Sequence, residues 1–267
     1  MYVGLMAVGI ALVSMASPPL IQWLLDNHGW RAGFVGFAAA SVGIGIPAVL
    51  LLLPNGGRSG SGIGTERPVE PSDRSFLKER DFWLLTLSLI TMSLATAGTV
   101  SQLAPMVVDE GIDVATAALA LSFFAAGQFV GRLAGGWLLD LFEPRRVAFF
   151  LTLMPAAGFI VLLGTHEIVP AALLAAAIIG LQQGAELDIF AYFVGRRFDV
   201  ARYGTIYGAL AGLGWIGNVG GMVGMGRIYD HFGTYAPAQV MGILALVVSA
   251  GLVLMVRLPD PVKTPQG

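Results

Sequence analysis

Three ionisable side chains lie inside long apolar stretches of the sequence: Arg132, Glu186 and Asp188. A charge at the centre of a membrane-spanning helix costs about 2.5–3.5 kcal/mol on insertion scales, so such residues usually face a bundle interior and have partners. Counting 1.5 Å per residue back from Asp140 and from Arg196 places all three charges at a similar depth. We therefore expect Arg132 to pair with one of the two carboxylates across an internal cavity.

The two candidate carboxylates are expected to lie on different faces of one helix, because they are two residues apart. Only one of them is then expected to serve Arg132. Glu186 shares its face with Gln182 and Gln183, which gives a polar stripe and favours Glu186 as the cavity-facing partner. The alternative is a structural pair that only holds two helices together.

The composition requires a membrane around these charges. The chain is 56% hydrophobic and only 12% charged, whereas ordinary soluble domains carry about 25% charged residues. A span needs roughly 20 apolar residues, and in lipid the spans must be helices because every backbone group has to be paired internally. We predict an all-α polytopic membrane protein with eight spans, at 1–25, 32–53, 82–107, 115–139, 147–164, 168–194, 204–226 and 236–256.

A stretch rich in glycine, serine, proline and charge separates the second span from the third. This composition is typical of a solvated linker. The predicted organisation is a helical pair, a cytoplasmic central linker, a six-helix bundle and a cytoplasmic tail, at 1–53, 54–81, 82–258 and 259–267.

Basic residues are distributed very unequally between the two sides of this predicted topology. Cytoplasmic loops retain positive charge, so the richer side is expected to be cytoplasmic, together with both termini. Only Arg31 and Arg227 fall on the other side. The cytoplasmic set is Arg58, Arg67, Arg74, Lys78, Arg80, Arg145, Arg146, Arg196, Arg197, Arg202, Arg257 and Lys263.

Three corners between helices are alike. Asp26 and Asp230 are each followed three residues later by a glycine. Asp140 ends the stretch "WLLD" at 137–140, which repeats the "WLLD" at 23–26. The corners end the first, fourth and seventh spans, and this spacing indicates three-helix structural repeats.

The seventh span also contains three pairs of glycines four residues apart, which are typical of tight helix packing: Gly208 and Gly212, Gly217 and Gly221, Gly220 and Gly224.

The stretch "GGWLLDLFEPRRV" resembles a loop motif of the major facilitator superfamily. Leu141 and Glu143 depart from the motif, where the family usually has arginine and glycine. The matching residues are Gly136, Leu138, Asp140, Arg145 and Arg146. In the family this is a gating loop, whereas topology-setting charge is the alternative explanation of the two arginines.

Other stretches resemble the monocarboxylate-porter and oxalate/formate-antiporter-like branch: "KERDFWLL" (78–85), "GLQQGAELDIFAYFVGRRF" (180–198) and "YGTIYGALAGLGWIGNVGG" (203–221). The resemblance implies twelve spans in two six-helix halves. Residues 1–53 would then be the last two helices of the N-terminal half and 82–258 the complete C-terminal half. The first four helices would be lacking, and Met1 would be an internal methionine of a longer reading frame.

The same resemblance implies secondary active transport of a small solute by alternating access, the solute being an organic anion such as a monocarboxylate. Carriers of this branch often have Asp-x-x-x-Arg on the helix in question, and here the sequence has Gln128 and then Arg132. A proton or a counter-anion is the implied coupling partner. We expect the chain not to transport alone as a monomer; a non-transporting remnant or interaction protein is the alternative.

Three further residues are candidates for the lining of the cavity. Gln102 precedes Pro105 and a helix bend, Asn218 lies on the glycine-rich span, and Tyr207 could donate a hydrogen bond to a solute carboxylate. For Gln102, and similarly for Asn218, the alternative is a local interhelical hydrogen bond.

Other classes of function lack their usual residues. The chain has no cysteine and only three histidines, none of them within a predicted span, and it contains no P-loop. We therefore expect neither an enzyme nor a metal or cofactor site. No long basic tract suggests nucleic acid. The expected location is the membrane itself, taken as a bacterial inner membrane.

Overall fold

The computed structural model of the chain describes residues 17–40, 42–43, 47, 74–164 and 168–258. The described residues divide into two compact units: those between 19 and 75 form one, and residues 17–18 together with those from 76 onward belong to the other. Most of 54–81 and all of 259–267 lie outside the described residues, and the predicted domain boundaries stay predictions.

The unit 19–75 contains α1, the helix at 17–28, from its third residue onward, and all of α2 at Trp30–Ala40. They are joined at Gly29, whose φ of 77° lies in the left-handed region that glycine adopts without strain. The Gly29 amide donates to the Leu25 carbonyl at 3.0 Å and closes the last turn of α1. The predicted spans at 1–25 and 32–53 lie partly outside the described residues.

Six further helices form the second unit, and each is long and apolar enough to cross a membrane. They are α3 (Arg80–Asp109), α4 (Val114–Leu141), α5 (Pro144–Leu163), α6 (Val169–Arg197), α7 (Tyr203–Phe232) and α8 (Ala236–Leu254). The all-α polytopic fold is confirmed, and the last six predicted spans coincide with these helices.

The end of the predicted linker packs onto the bundle and is not solvated as expected. A 3₁₀ turn forms at Arg74–Lys78, and Phe76 is buried against Phe82 with ring centroids 5.0 Å apart. The indole of Trp83 donates to the Leu77 carbonyl at 2.8 Å. These apolar contacts fix the chain before α3 begins.

The cap of α4 shows how a charge at a helix end is held. The backbone amide of Thr116 donates to Asp113 at 3.0 Å, and the Thr116 hydroxyl donates to the same carboxylate at 2.5 Å. These two hydrogen bonds hold the pKa of the Asp113 carboxyl below its ordinary value. Asp113 is therefore ionised at neutral pH, as an N-cap that faces the helix dipole should be.

The helices of the second unit pair in a pattern that is unchanged when α3, α4 and α5 are exchanged for α6, α7 and α8. The two most extensive interfaces, α4 with α6 and α3 with α7, map onto one another under this exchange. The interfaces of α3 with α8 and of α5 with α6 also interchange, and α5 with α8 maps onto itself. This pattern confirms a three-helix repeat within the bundle.

The corners follow the repeat only in part. α7 ends at Gly233 with a φ of 67°, which matches the left-handed Gly29 after α1. α4 ends differently, because Phe142 continues it in an extended conformation and Glu143 stands where a glycine would be needed. The likeness of the first and third corners is confirmed, and the middle corner lacks the left-handed turn.

Helices α4 and α6 approach until their backbones touch. A Cβ added at Gly131 would overlap the Leu181 carbonyl, and a Cβ added at Gly184 would overlap the Gln128 carbonyl. The added Cβ at Gly184 would also lie 2.8 Å from the backbone nitrogen of Arg132. Small residues allow this approach where lipid supplies no hydrophobic drive between helices.

The glycines of α7 are divided between a packed face and an open one. Gly217 and Gly221 lie against the backbone of α3, where an added Cβ would overlap the carbonyls of Ile90 and Leu94. Among the described residues, no atom of another helix lies within 4 Å of a Cβ added at Gly208, Gly212 or Gly224, and at Gly220 a Leu94 methyl lies at 3.9 Å. The tight packing predicted from the glycine pairs is therefore confirmed for Gly217 and Gly221.

We predict that Gly131→Ala lowers the melting temperature of the purified protein by several degrees, because the new methyl group must push α6 away from α4. Gly208→Ala is the matched control. Its site is open, and alanine is the better helix former by about 1 kcal/mol. Thermal unfolding in detergent measures both variants, and equal melting temperatures would contradict the close contact.

Candidate functional site

Arg132 has an unpaired guanidinium inside the bundle. It follows Gly131 at the point where α4 touches α6, and its side chain is only partly exposed. Within the described residues it donates no hydrogen bond and forms no ion pair. Five N–H donors are therefore available to a partner from outside these helices.

Asp188 is the carboxylate that lies near Arg132. It comes one turn after Gly184, whose Cα borders the Arg132 backbone, so it lies on the face of α6 that packs on α4. The charge of Arg132 acts on the half-buried Asp188 carboxylate. No direct ion pair joins the two in the part of the chain that the structure describes.

Glu186 has other neighbours, and no ion pair joins it to Arg132 among the described residues. Its side chain is only 6% exposed and accepts a hydrogen bond from the Gln183 amide at 3.0 Å. Ser93 of α3 and Gln182 also lie beside the carboxylate. The amide of Gln182 donates to the Met92 sulfur at 2.9 Å, so this face of α6 is turned to α3.

Tyr207 brings α7 to the same group of residues. Its ring stacks on Tyr203 with centroids 5.6 Å apart and planes 5° from parallel. The charges of Asp188 and Glu186 both act on its hydroxyl. Gln128 lies one turn before Arg132 on α4, partly buried, with its carbonyl against Gly184. Helices α4, α6 and α7 thus supply the residues around the unpaired guanidinium.

Gln102 and Asn218 have partners within the bundle. The Tyr235 hydroxyl donates to the Gln102 side-chain carbonyl at 3.3 Å, which joins α3 to the start of α8. The amide of Asn218 donates to the Gly214 carbonyl of its own helix at 3.4 Å. Gln102 therefore has an interhelical hydrogen bond, as the alternative to a cavity-lining role expects, whereas the hydrogen bond of Asn218 stays within α7. A role of either residue in solute binding stays a prediction.

The sequence matches one known family of membrane proteins. The family model described as Major Facilitator Superfamily matches residues 1–211 and 97–267. The chain belongs to the Major Facilitator Superfamily. It is therefore an integral membrane protein, as its apolar helices require.

Curated relatives of this superfamily member carry the name of the predicted branch. The chain is 28% identical to Monocarboxylate transporter 13 of Bos taurus over 256 residues, which is 94% of this chain and 58% of the relative. It is 29% identical to Monocarboxylate transporter 11 of Mus musculus over 251 residues, 91% of this chain and 52% of the relative. The chain spans about half the length of the curated relatives it matches.

Solved superfamily transporters have the same fold. A bacterial homolog of the human lysosomal transporter Spinster, in an inward-facing and unoccupied conformation, aligns with a TM-score of 0.63 and 19% identity over 95% of this chain and 63% of its own. The transporter FucP in the outward conformation aligns with a TM-score of 0.55 and 18% identity over 87% of this chain and 59% of its own.

The superfamily loop motif does not form one cluster among the described residues. Arg146 pairs with Glu143 at 2.9 Å, and both side chains are well exposed. Arg145 donates instead to the Leu258 carbonyl at 3.4 Å, and so ties the start of α5 to the segment after α8. Asp140 is exposed, and no atom lies within 4 Å of a Cβ added at Gly136. A gating role for this loop stays a prediction.

An ion-pair cluster around the buried Asp81, which sequence reasoning missed, joins the ends of three helices. Arg197 at the end of α6 pairs through Nε with Asp81 at the start of α3, and its Nη2 lies 2.9 Å from the Glu79 carboxylate. The Arg257 backbone amide donates to Asp81 at 3.5 Å. We call Arg197, Asp81 and Glu79 the clasp. The sequence does contain a signal for it. Two acids, Glu79 and Asp81, stand at the start of α3, and two arginines, Arg196 and Arg197, stand at the end of α6.

We predict that Arg197→Gln destabilises the protein by about 3 kcal/mol, because the 6%-exposed Asp81 would lose its cationic partner. Arg196→Gln is the control, since this neighbouring arginine is exposed and has only a cation–π contact with Tyr192. Adding Asp81→Asn to Arg197→Gln should restore part of the loss. Equal melting temperatures for the two single variants would show that the clasp contributes nothing.

Proposed function

We propose that this chain belongs to a secondary active carrier that moves a small organic anion, such as a monocarboxylate, across a membrane by alternating access. Its superfamily and the names of its relatives support transport, and carriers of this kind bind solute between helices near the middle of the bilayer. The described residues that are best placed for this lie on α4, α6 and α7, with Arg132 at their centre.

The unpaired guanidinium of Arg132 carries the proposal. A charge inside a membrane protein is costly unless it has a partner or a function, and no partner is present among the described side chains. The planar guanidinium fork matches a carboxylate with two parallel N–H···O bonds. A carboxylate-bearing solute is the partner that this geometry fits.

The orientation of the bundle is part of the same proposal. The ends of α4, α6 and α8 and the starts of α3, α5 and α7 share one side, which carries Arg80, Arg145, Arg146, Arg196, Arg197, Arg202 and Arg257. By the positive-inside rule we place this side in the cytoplasm. Arg132, nine residues before the end of α4, then binds solute from the inner half of the bilayer.

We predict that Arg132→Lys weakens binding of monocarboxylates such as pyruvate or formate about 10-fold or more. Lysine keeps the charge but loses the two-pronged geometry, and a lost charge-assisted hydrogen bond corresponds to about 1.5–3 kcal/mol. Titration of the purified chain in lipid nanodiscs measures the dissociation constants.

Arg146→Lys is the matched control, because Arg146 is exposed and pairs with its near neighbour Glu143. It should bind as the unsubstituted protein does. Unchanged affinity in Arg132→Lys would refute a solute contact at Arg132. Absence of any monocarboxylate binding would favour the alternative of a non-transporting membrane protein.

A further inference from the structure

Two opposite charges lie close together in the bundle and remain unpaired. Arg132 on α4 and Asp188 on α6 both come from the region where the helix backbones touch, and each side chain is partly exposed. Asp188 lies four residues beyond Gly184, about 6 Å along the helix axis. Neither charge has a hydrogen bond or an ion pair among the described residues.

A simple anion fits only half of this arrangement. Its carboxylate on Arg132 would approach the charge of Asp188, which already interacts with Arg132. Like charges brought together in a site of low dielectric repel, and Asp188 would remain unpaired after the solute is bound. A solute that carries both a carboxylate and an ammonium group satisfies both side chains.

Tyr207 and Tyr203 provide a surface suited to the ammonium group. A Cβ added at Gly195 would lie 3.7 Å from the Tyr203 ring, so the start of α7 packs beside the end of α6, the helix that carries Asp188. Tyr207 follows Tyr203 by one helical turn, and the two rings stack in parallel. Aromatic faces attract cations, most strongly where water is displaced.

The other carboxylate is not available for this role. Glu186 is 6% exposed and is enclosed by Gln182, Gln183 and Ser93 against α3. A solute ammonium group that lies between α4, α6 and α7 therefore meets Asp188 first.

We propose that the site selects a small zwitterion of the α-amino-acid type, with its carboxylate on Arg132 and its ammonium group on Asp188 and the Tyr207 ring. This inference rests on the proposed function and narrows its substrate class. A site of this kind should bind amino acids more tightly than monocarboxylates that lack an amino group.

The test compares solutes that differ only in the amino group: alanine with propionate, and phenylalanine with 3-phenylpropionate. Each is titrated at pH 7 into the purified chain in nanodiscs. We expect the amino acid of at least one pair to bind about 10-fold more tightly than its partner. Asp188→Asn should reduce this ratio of dissociation constants to about one, whereas Asp230→Asn, at an exposed position, should preserve it.

Tighter or equal binding of propionate and 3-phenylpropionate by the unsubstituted protein would overturn the zwitterion inference and leave the proposed function standing. A ratio that persists in Asp188→Asn would also overturn it. Binding of neither solute class would contradict the inference and the proposed function together. If the Asp188 variant does not fold, the ratio of the two dissociation constants in the unsubstituted protein still tests whether the site prefers a zwitterion.

Discussion

The contact between α4 and α6 is the constraint on which the rest of the bundle depends. The two backbones meet through glycines, so neither helix can rotate or slide without a clash between main-chain atoms. This contact fixes the faces of both helices. Gly184 and Asp188 are turned to α4, and Gln182 and Glu186, half a turn away, are turned to α3. The division of the two carboxylates follows from the packing of small residues.

Polar contacts then tie α3 to its neighbours along its length. The clasp joins its start to the end of α6, and the Ser88 and Ser249 hydroxyls, 2.8 Å apart, join its buried side to α8. Near its end, Gln102 accepts from Tyr235, and Asp109 accepts from Tyr229 at 3.0 Å. Such hydrogen bonds are worth about 1 kcal/mol each between membrane helices, so together they hold α3 firmly within the bundle.

The positions of the helices could be predicted from the sequence, whereas the helix faces that pack against one another were predicted less well. Apolar length predicted six described helices to within a few residues, and "WLLDLFEPRR" led to the superfamily. The polar stripe of Gln182 and Glu186 suggested the cavity, but it lies against Met92 and Ser93. The better signal was the spacing of Gly180, Gly184 and Asp188, because a glycine stripe marks the helix face that another helix approaches.

Sequence reasoning missed the clasp for a different reason. Asp81 and Arg197 are 116 residues apart, and each had a sufficient local explanation as a charge at a membrane boundary. Only the pairing of α3 with α6 at that end brings them together. The left-handed turns at Gly29 and Gly233 were accessible from local spacing, since they need nothing beyond their own helix ends.

Arg132 and Asp188 lie near one another in the bundle and do not form a direct ion pair among the described residues. A double-mutant cycle with Arg132→Gln, Asp188→Asn and the combined variant, read as unfolding free energies without solute, measures this directly. We expect a coupling energy below about 1 kcal/mol, as for charges that are not in direct contact. A coupling of about 3 kcal/mol or more would reveal a closed, buried ion pair and would contradict a site open to solute.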